Sequence, residues 1–311
     1  MSSNTLILSN GIEMPIIGLG TSGASSDILI AAVKTAINTG YRLIDTAAAY
    51  NNEEAIGEAI CQCISENLVK REDLFIVTKC PTPFLHPNKQ ESALKESLQK
   101  LKLGYIDCYL AHNPCPTDLT VKVEDIWKGL EMLYEKKLAK SIGLSNFNLE
   151  KIQRILNIAK IPIHCVQIEL HLYFQQKEML EFCRKHKIAI MAYAPLGAPN
   201  RSFYKRFCIF CNQSSVIPFE DPLIIELAKK YLKTPAQILL RHLIQSNLNV
   251  IPKSTNEARI KENFDVFDFK LSGEEMEKLN SVKQNSRTFW LDFLIGHLED
   301  PFKDERQKQM E

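Results

Sequence analysis

The sequence has almost no excess charge of either sign: 38 Lys plus Arg stand against 37 Asp plus Glu in 311 residues. Such a balance removes any general attraction to nucleic acid or to an anionic membrane, so an anion site has to be local. Long apolar runs are missing too, and none approaches the roughly 20 residues needed to span a bilayer. The opening Met1-Ser2-Ser3-Asn4-Thr5 has neither the basic start nor the apolar stretch of a secretory signal. Nine cysteines are scattered through apolar segments, which suits a reducing, cytoplasmic setting better than a disulfide framework. The one C-x-x-C, Cys208-Ile209-Phe210-Cys211, has no second pair or nearby histidine, so no metal site is expected. No Pro/Ser-rich linker, charge run or internal repeat divides the chain, and residues 1–311 read as one domain.

A composition 45% hydrophobic allows a large core. Leu6-Ile7-Leu8 and Met14-Pro15-Ile16-Ile17 flank Asn10-Gly11, a hairpin signal. Beyond it, short apolar runs alternate with amphipathic segments. Strands are expected at Ile16–Gly20, Arg42–Thr46, Leu74–Lys79, Ile106–His112, Lys140–Ser145, Cys165–Glu169, Ala189–Tyr193 and Asn249–Pro252. Helices are expected near Asp27–Asn38, Glu53–Ser65, Lys89–Leu101, Val123–Glu135, Leu149–Leu156, Lys177–His186 and Ala236–Gln245, with start signals at Asp27, Ser145-Asn146 and Thr234-Pro235. This alternation predicts an α/β fold, a (β/α)8 TIM barrel whose N-terminal β-hairpin caps the bottom. The irregular stretch Pro195–Phe219 and the tail from Asn285 would lie over the mouth, with the charged Lys303–Glu311 frayed.

Three of the strands end in chemistry. Leu43-Ile44 runs into Asp45 and then Tyr50; Leu74–Thr78 delivers Lys79; Tyr105–Ala111 delivers His112. In a parallel barrel these four side chains converge on one rim. A phenol titrates near pH 10, too high for ready proton exchange at neutrality, and an adjacent ammonium favours the phenolate and draws that value down. A buried ammonium needs a counter-charge, which Asp45 supplies, and His112 can orient a substrate oxygen. A purely structural Asp45–Lys79 pair would account for any one of these residues but not for the series of strand ends. At the other end of the chain Ile251-Pro252-Lys253-Ser254, with Arg259 on a following helix, makes a local anion site in a nearly neutral protein. Ser145, Asn146 and Gln167 offer hydroxyl and amide groups for a carboxamide, and Tyr193 a flat face for stacking.

Gly18-Leu19-Gly20-Thr21-Ser22-Gly23, with Asp45 some way on, also matches a dinucleotide fingerprint. Against a Rossmann fold, the preceding apolar run Ile16-Ile17 is very short and follows Pro15. The Ser/Ala run from Ser22 to Ser26 also puts the last glycine outside the helix it should open.

The chain resembles the aldo-keto reductases, in the aldose reductase and hydroxysteroid dehydrogenase-like branch, over nearly its whole length. The resemblance rests on Gly40–Ala47 with Tyr50, Ser141–Asn148, Tyr193–Gly197, Ile251–Ser254 and Glu262–Phe269. It implies a monomeric NADPH-dependent enzyme reducing aldehydes or ketones. Tyr50 would be general acid, Lys79 and Asp45 its tuning pair and His112 the orienting residue; a His there, rather than Glu, favours C=O over C=C reduction. Ser145, Asn146 and Gln167 would hold the carboxamide and Tyr193 would stack on the nicotinamide, with Thr21, Asp45 and Leu196 also binding the cofactor. Lys253, Ser254, Asn256 and Arg259 would grip the 2′-phosphate, with Glu262 and Asn263 near the adenine. Tyr50, His112, Asn113, Phe203 and Trp290 would meet the substrate. Ser22, Pro81, Asn113 and Phe203 stand where aldose-reductase-like members carry aromatic walls, which implies a wider pocket closed partly by Phe289-Trp290-Leu291 and Phe293. Gly23 and Asn200 stand where some members carry a Lys–Asp latch, implying less gated cofactor release. The alternative is a barrel that binds NADPH without turnover, as a redox-sensing or structural partner.

Overall fold

At Asn10-Gly11 the chain turns with Gly11 at φ +82°, a conformation glycine adopts without steric cost. The turn lets β1 (Thr5–Ile7) pair antiparallel with β2 (Glu13–Pro15). The computed structural model describes residues 4–199, 217–284 and 287–310. From the hairpin, Leu8 and Met14 are buried in the main core, and Asn10 donates to the Lys140 carbonyl (3.0 Å) and Ser141 Oγ (3.2 Å). Both acceptors immediately precede a barrel strand, so the hairpin covers the end at which the strands begin.

Eight parallel strands follow: β3 (Gly18–Gly20), β4 (Leu43–Asp45), β5 (Phe75–Cys80), β6 (Cys108–Ala111), β7 (Ile142–Ser145), β8 (Cys165–Glu169), β9 (Ala189–Tyr193) and β10 (Asn249–Val250). Each pairs with the next in sequence. Parallel bridges from Ile17 to Val250 and from Gly20 to Lys253 join the last strand to the first. The Val250 N–H donates to the Ile16 carbonyl (2.9 Å) and the Gly20 N–H to that of Pro252 (3.1 Å), and the sheet closes as a (β/α)8 barrel. At Gly20 a β-carbon would sit 2.6 Å from the Ile251 carbonyl oxygen, so the seam needs a glycine there. The strands are buried on both faces, which is why they read as unbroken apolar runs rather than alternating ones.

Helices α1 (Ser26–Thr39), α2 (Glu53–Ser65), α3 (Pro87–Leu101), α4 (Val123–Glu135), α5 (Leu149–Leu156) and α6 (Lys177–Lys185) alternate with the strands. In α4 the buried Val123, Ile126, Trp127, Leu130 and Leu133 form one stripe at helical spacing. Burying each large side chain of such a stripe contributes roughly 1.5–3 kcal/mol. α8 (Pro235–Gln245) begins with the expected Thr234 cap, whose Oγ accepts the Gln237 N–H while Gln237 accepts that of Thr234. Two expected caps move. Asp27 lies inside the first turn of α1, and α5 is capped by Asn148, whose side chain accepts the Lys151 N–H, leaving Ser145 and Asn146 at the strand end.

Helices α7 (Pro222–Tyr231) and α10 (Gly273–Asn280) go beyond the expected set; α9 (Glu257–Phe264) carries Arg259 as anticipated. A smaller apolar cluster, with Leu172, Ile224, Leu227, Leu239 and Leu279, packs α7, α8 and α10 together beside the barrel. The C-terminal residues correct the expectation of fraying: Lys303–Met310 form α11. Arg306 from this helix is buried, ion-paired with Asp300 and bonded to the Trp290 carbonyl, so the charge reads inward as well as outward.

Candidate active site

Asp45 ends β4, paired in register with Val77 of β5. Lys79 lies two residues further on and on the same face, which brings its ammonium over the carboxylate. Lys79 Nζ donates to both Asp45 oxygens (2.8 and 2.9 Å) and to the Thr46 carbonyl (2.8 Å), and it lies 3.4 Å from the Tyr50 hydroxyl. Tyr50 closes a short 3-10 turn, Ala48–Tyr50, directly after β4. Gln167 Nε2, from β8 across the barrel, donates to the second Asp45 oxygen at 2.7 Å. His112, just past β6, presents its ring edge-on to Tyr50 with centroids 5.6 Å apart. The four strand-end residues do meet.

Their electrostatics follow from burial. Desolvation alone would lower the Lys79 ammonium, but Asp45 and then Tyr50 outweigh it and hold the lysine above its ordinary range. For Tyr50 the balance differs from the expected downward shift. Desolvation raises the phenol, and Lys79 opposes this without cancelling it, because Asp45 adds to the rise. The phenol is therefore a firmly protonated donor. Burial, helped by the nearby Lys79 charge, pushes His112 down to about 3, so its imidazole is neutral at neutral pH.

On the neighbouring strands, Asn146 takes a left-handed conformation (φ 62°), one that asparagine tolerates better than most residues. Its Nδ2 donates to the His112 carbonyl (2.9 Å) and its Oδ1 accepts the Tyr193 hydroxyl (2.8 Å). Ser145 is buried beside it, its Oγ 3.2 Å from Asn146 Nδ2. The Thr21 hydroxyl donates to the Asp45 carbonyl (2.9 Å), tying β3 to β4. Leu196 is half-buried against the main core. Gly18–Gly20 form β3 itself, and the Asp45 carboxylate is engaged by Lys79 and Gln167, so the glycine fingerprint belongs to the barrel seam and the Rossmann reading is excluded.

Lys253 follows β10 at the seam, exposed, with Asn256 capping α9 by accepting the Arg259 N–H (3.0 Å). Ser254 Oγ accepts the Asn256 N–H (3.2 Å). Neither Lys253 nor Arg259 makes an ion pair among the described residues, whereas Lys261 on the same helix is paired with Glu257 at 2.6 Å. Asn263 is buried, and the Glu262 carboxylate accepts the Thr234 hydroxyl (2.8 Å).

The substrate-side residues divide. Asn113 is buried, its amide bonded to Thr82 Oγ1 (2.8 Å) and its Oδ1 to the Cys115 N–H (2.9 Å). Phe289 meets the Tyr193 ring edge-on at 5.7 Å. Trp290, expected to meet the substrate, is only 2% exposed, with the Arg306 guanidinium 6.0 Å from its ring, while Phe293 is 72% exposed. Phe203, Asn200 and the Cys208/Cys211 pair lie outside the described residues.

Glu169 and Arg287 were not anticipated. Glu169 ends β8 on the same face as Gln167, fully buried, and accepts the N–H groups of Thr288 (2.7 Å) and Phe289 (2.9 Å); its Oε1 lies 3.1 Å from His171 Nε2. Burial would raise this carboxyl, but His171, Arg287 and the Phe289 N–H together hold it below its usual range. Arg287 is buried between the Phe174 and Phe302 rings and paired with Glu305 (2.9 Å). The strand-end rule that singled out Asp45 applies equally to Glu169, but besides nearby His171 its partners are backbone groups more than a hundred residues on.

Residues 16–284 match the aldo/keto reductase family. Aldo-keto reductase family 1 member A1 of Gallus gallus is 41% identical over 297 residues, covering 90% of this chain and 89% of that protein. The solved aldose reductase of Schistosoma japonicum superposes with a TM-score of 0.87 at 41% identity, over 97% of this chain and 99% of the other. An aldo-keto reductase of Bombyx mori, solved in complex with NADP, gives 0.87 at 36% identity, over 97% and 99%.

Proposed function

The chain belongs to the aldo/keto reductase family, and from that premise we propose that it reduces aldehydes and ketones to alcohols with NADPH, as a single-domain cytoplasmic monomer. The observation that carries the reading is the Lys79 ammonium seated between the Asp45 carboxylate and the Tyr50 hydroxyl. Tyr50, with its phenol held in the protonated form, donates that proton to the carbonyl oxygen. Lys79 stabilises the phenolate left behind, and Asp45 keeps the lysine charged and in place. A neutral His112 imidazole hydrogen-bonds the same substrate oxygen and so orients the carbonyl.

The residues present fit the cofactor. Lys253 and Arg259, exposed and without ion pairs among the described residues, suit a phosphate beside the N-terminus of α9. Asn146, Ser145 and Gln167 suit a carboxamide, and the Tyr193 ring suits a nicotinamide face. NADPH, when bound, supplies the hydride that adds to the carbonyl carbon.

The test is oxidation of NADPH with a generic aldehyde, for the wild type and Tyr50→Phe. Wild-type turnover with a loss of about 10²–10⁴ in kcat for the variant is expected. Binding of NADPH without turnover by the wild type would instead favour the non-catalytic alternative.

A further inference from the structure

Gln167 and Glu169 alternate down one face of β8, yet only Gln167 reaches the Asp45–Lys79 pair. Glu169 faces the chain's C-terminal tail. Its two carboxylate oxygens take the consecutive backbone N–H groups of Thr288 and Phe289, at 2.7 and 2.9 Å. A buried carboxylate divided between neighbouring amides fixes both the position and the direction of that backbone. Glu169 is also the register partner of Tyr193 on β9, so the tail segment it holds lies beside that tyrosine. Phe289, fixed in this way, sets its ring edge-on to Tyr193 at 5.7 Å. The Tyr193 hydroxyl in turn bonds Asn146 Oδ1 (2.8 Å), and Asn146 Nδ2 holds the His112 carbonyl (2.9 Å).

We propose that Glu169 is a positioning residue for cofactor binding, acting through Phe289 to set the Tyr193 ring and, behind it, the Asn146 amide. The proposal rests on the reading of Tyr193 and Asn146 as the nicotinamide side of the site. Further along, the tail is held independently: His297 lies 2.9 Å from the Pro116 carbonyl, Asn148 donates to that of Pro301 (3.1 Å) and Arg154 pairs with Glu299 (2.9 Å). Loss of the Glu169 contacts therefore loosens the segment at Phe289 without freeing the tail as a whole.

Glu169→Gln keeps the shape but turns one acceptor into a donor facing an N–H. NADPH KM and the NADPH Kd from protein fluorescence are expected to rise about tenfold, with kcat at saturating NADPH changed less than about threefold. A residue that only supports the fold would lower kcat with the active fraction and leave KM alone, and that result overturns the proposal. Phe289→Ala, on the half-buried tail, should reproduce the rise in KM, and the double variant should be no worse than the stronger single one. Additive effects, or an unchanged KM in Phe289→Ala, also overturn it, and the second arm holds even if Glu169→Gln fails to fold. Should the wild type neither bind nor oxidise NADPH, the underlying functional reading falls and this coupling with it; wild-type turnover with additive variants sinks the coupling alone.

Discussion

A lysine with no exposed surface is held in this protein by three oxygens of its own chain, and that arrangement sets the charge of everything near it. Burial first, and then this fixed cation beside it, disfavour a second positive charge and push His112 down to about 3. Its ordinary value is 6.5. In the window between the two the unfolded chain takes up a proton that the folded chain refuses, so this histidine lowers stability as pH falls below about 6.5. In carbonyl reduction the same depression predicts that kcat/KM shows no histidine inflection between about pH 5.5 and 7.5. An inflection in that range that disappears in His112→Asn would contradict it. The four residues were legible because each stands where an apolar run stops. The upward balance at Tyr50 was not, since it depends on burial contributed by many elements, and no stretch around Tyr50 carries that information.

Among the secondary-structure elements, β7 shows how tightly the barrel closes. A β-carbon on Gly143 would stand 2.2 Å from the Cys165 carbonyl oxygen and 2.9 Å from its Sγ, within the barrel wall. Gly143→Ala is expected to cost about 3 kcal/mol in urea unfolding, because the neighbour that must move is backbone. Gly273 opens α10 with nothing within 4 Å of its would-be β-carbon, and Gly273→Ala should raise stability by about 0.4–1 kcal/mol. The two substitutions share one chemistry and should differ in sign, which a single pair of unfolding curves decides. Strand positions and most helices alternating with them followed from apolar periodicity, with β8, β9, α2, α4 and α5 bounded as the pattern implied. Of the helices that escaped, α10 and α11 are eight residues long and mostly charged or polar, and α7 is ten residues long with an apolar first half. Asp221 and the Ser272/Glu275 capping box are the start signals of α7 and α10.

The whole molecule carries a formal net charge of +1, so attraction for a polyanionic cofactor has to come from the few cations around the seam. Replacing Lys253 and Arg259 together by Ala should raise the NADPH KM at least about tenfold while leaving the NADH KM within about twofold. Equal losses for the two cofactors would remove these residues from 2′-phosphate recognition. At this scale the tail was the hardest part to read. Its last residues read as frayed, whereas Arg306 is buried, paired with Asp300 and bonded to the Trp290 carbonyl, and Arg287, also buried, pairs with Glu305 of the same tail. The join between Gly20 and Lys253 has a temporal consequence. A chain still emerging from the ribosome already contains Asp45, Tyr50, Lys79 and His112, but the last staves of the ring, and the cations beside them, arrive only after some 250 residues have been made. Until the seam closes, the nascent chain would hold the proposed acid without the cations proposed for the cofactor, and on that reading the two halves of the site come together only once Lys253 has been added.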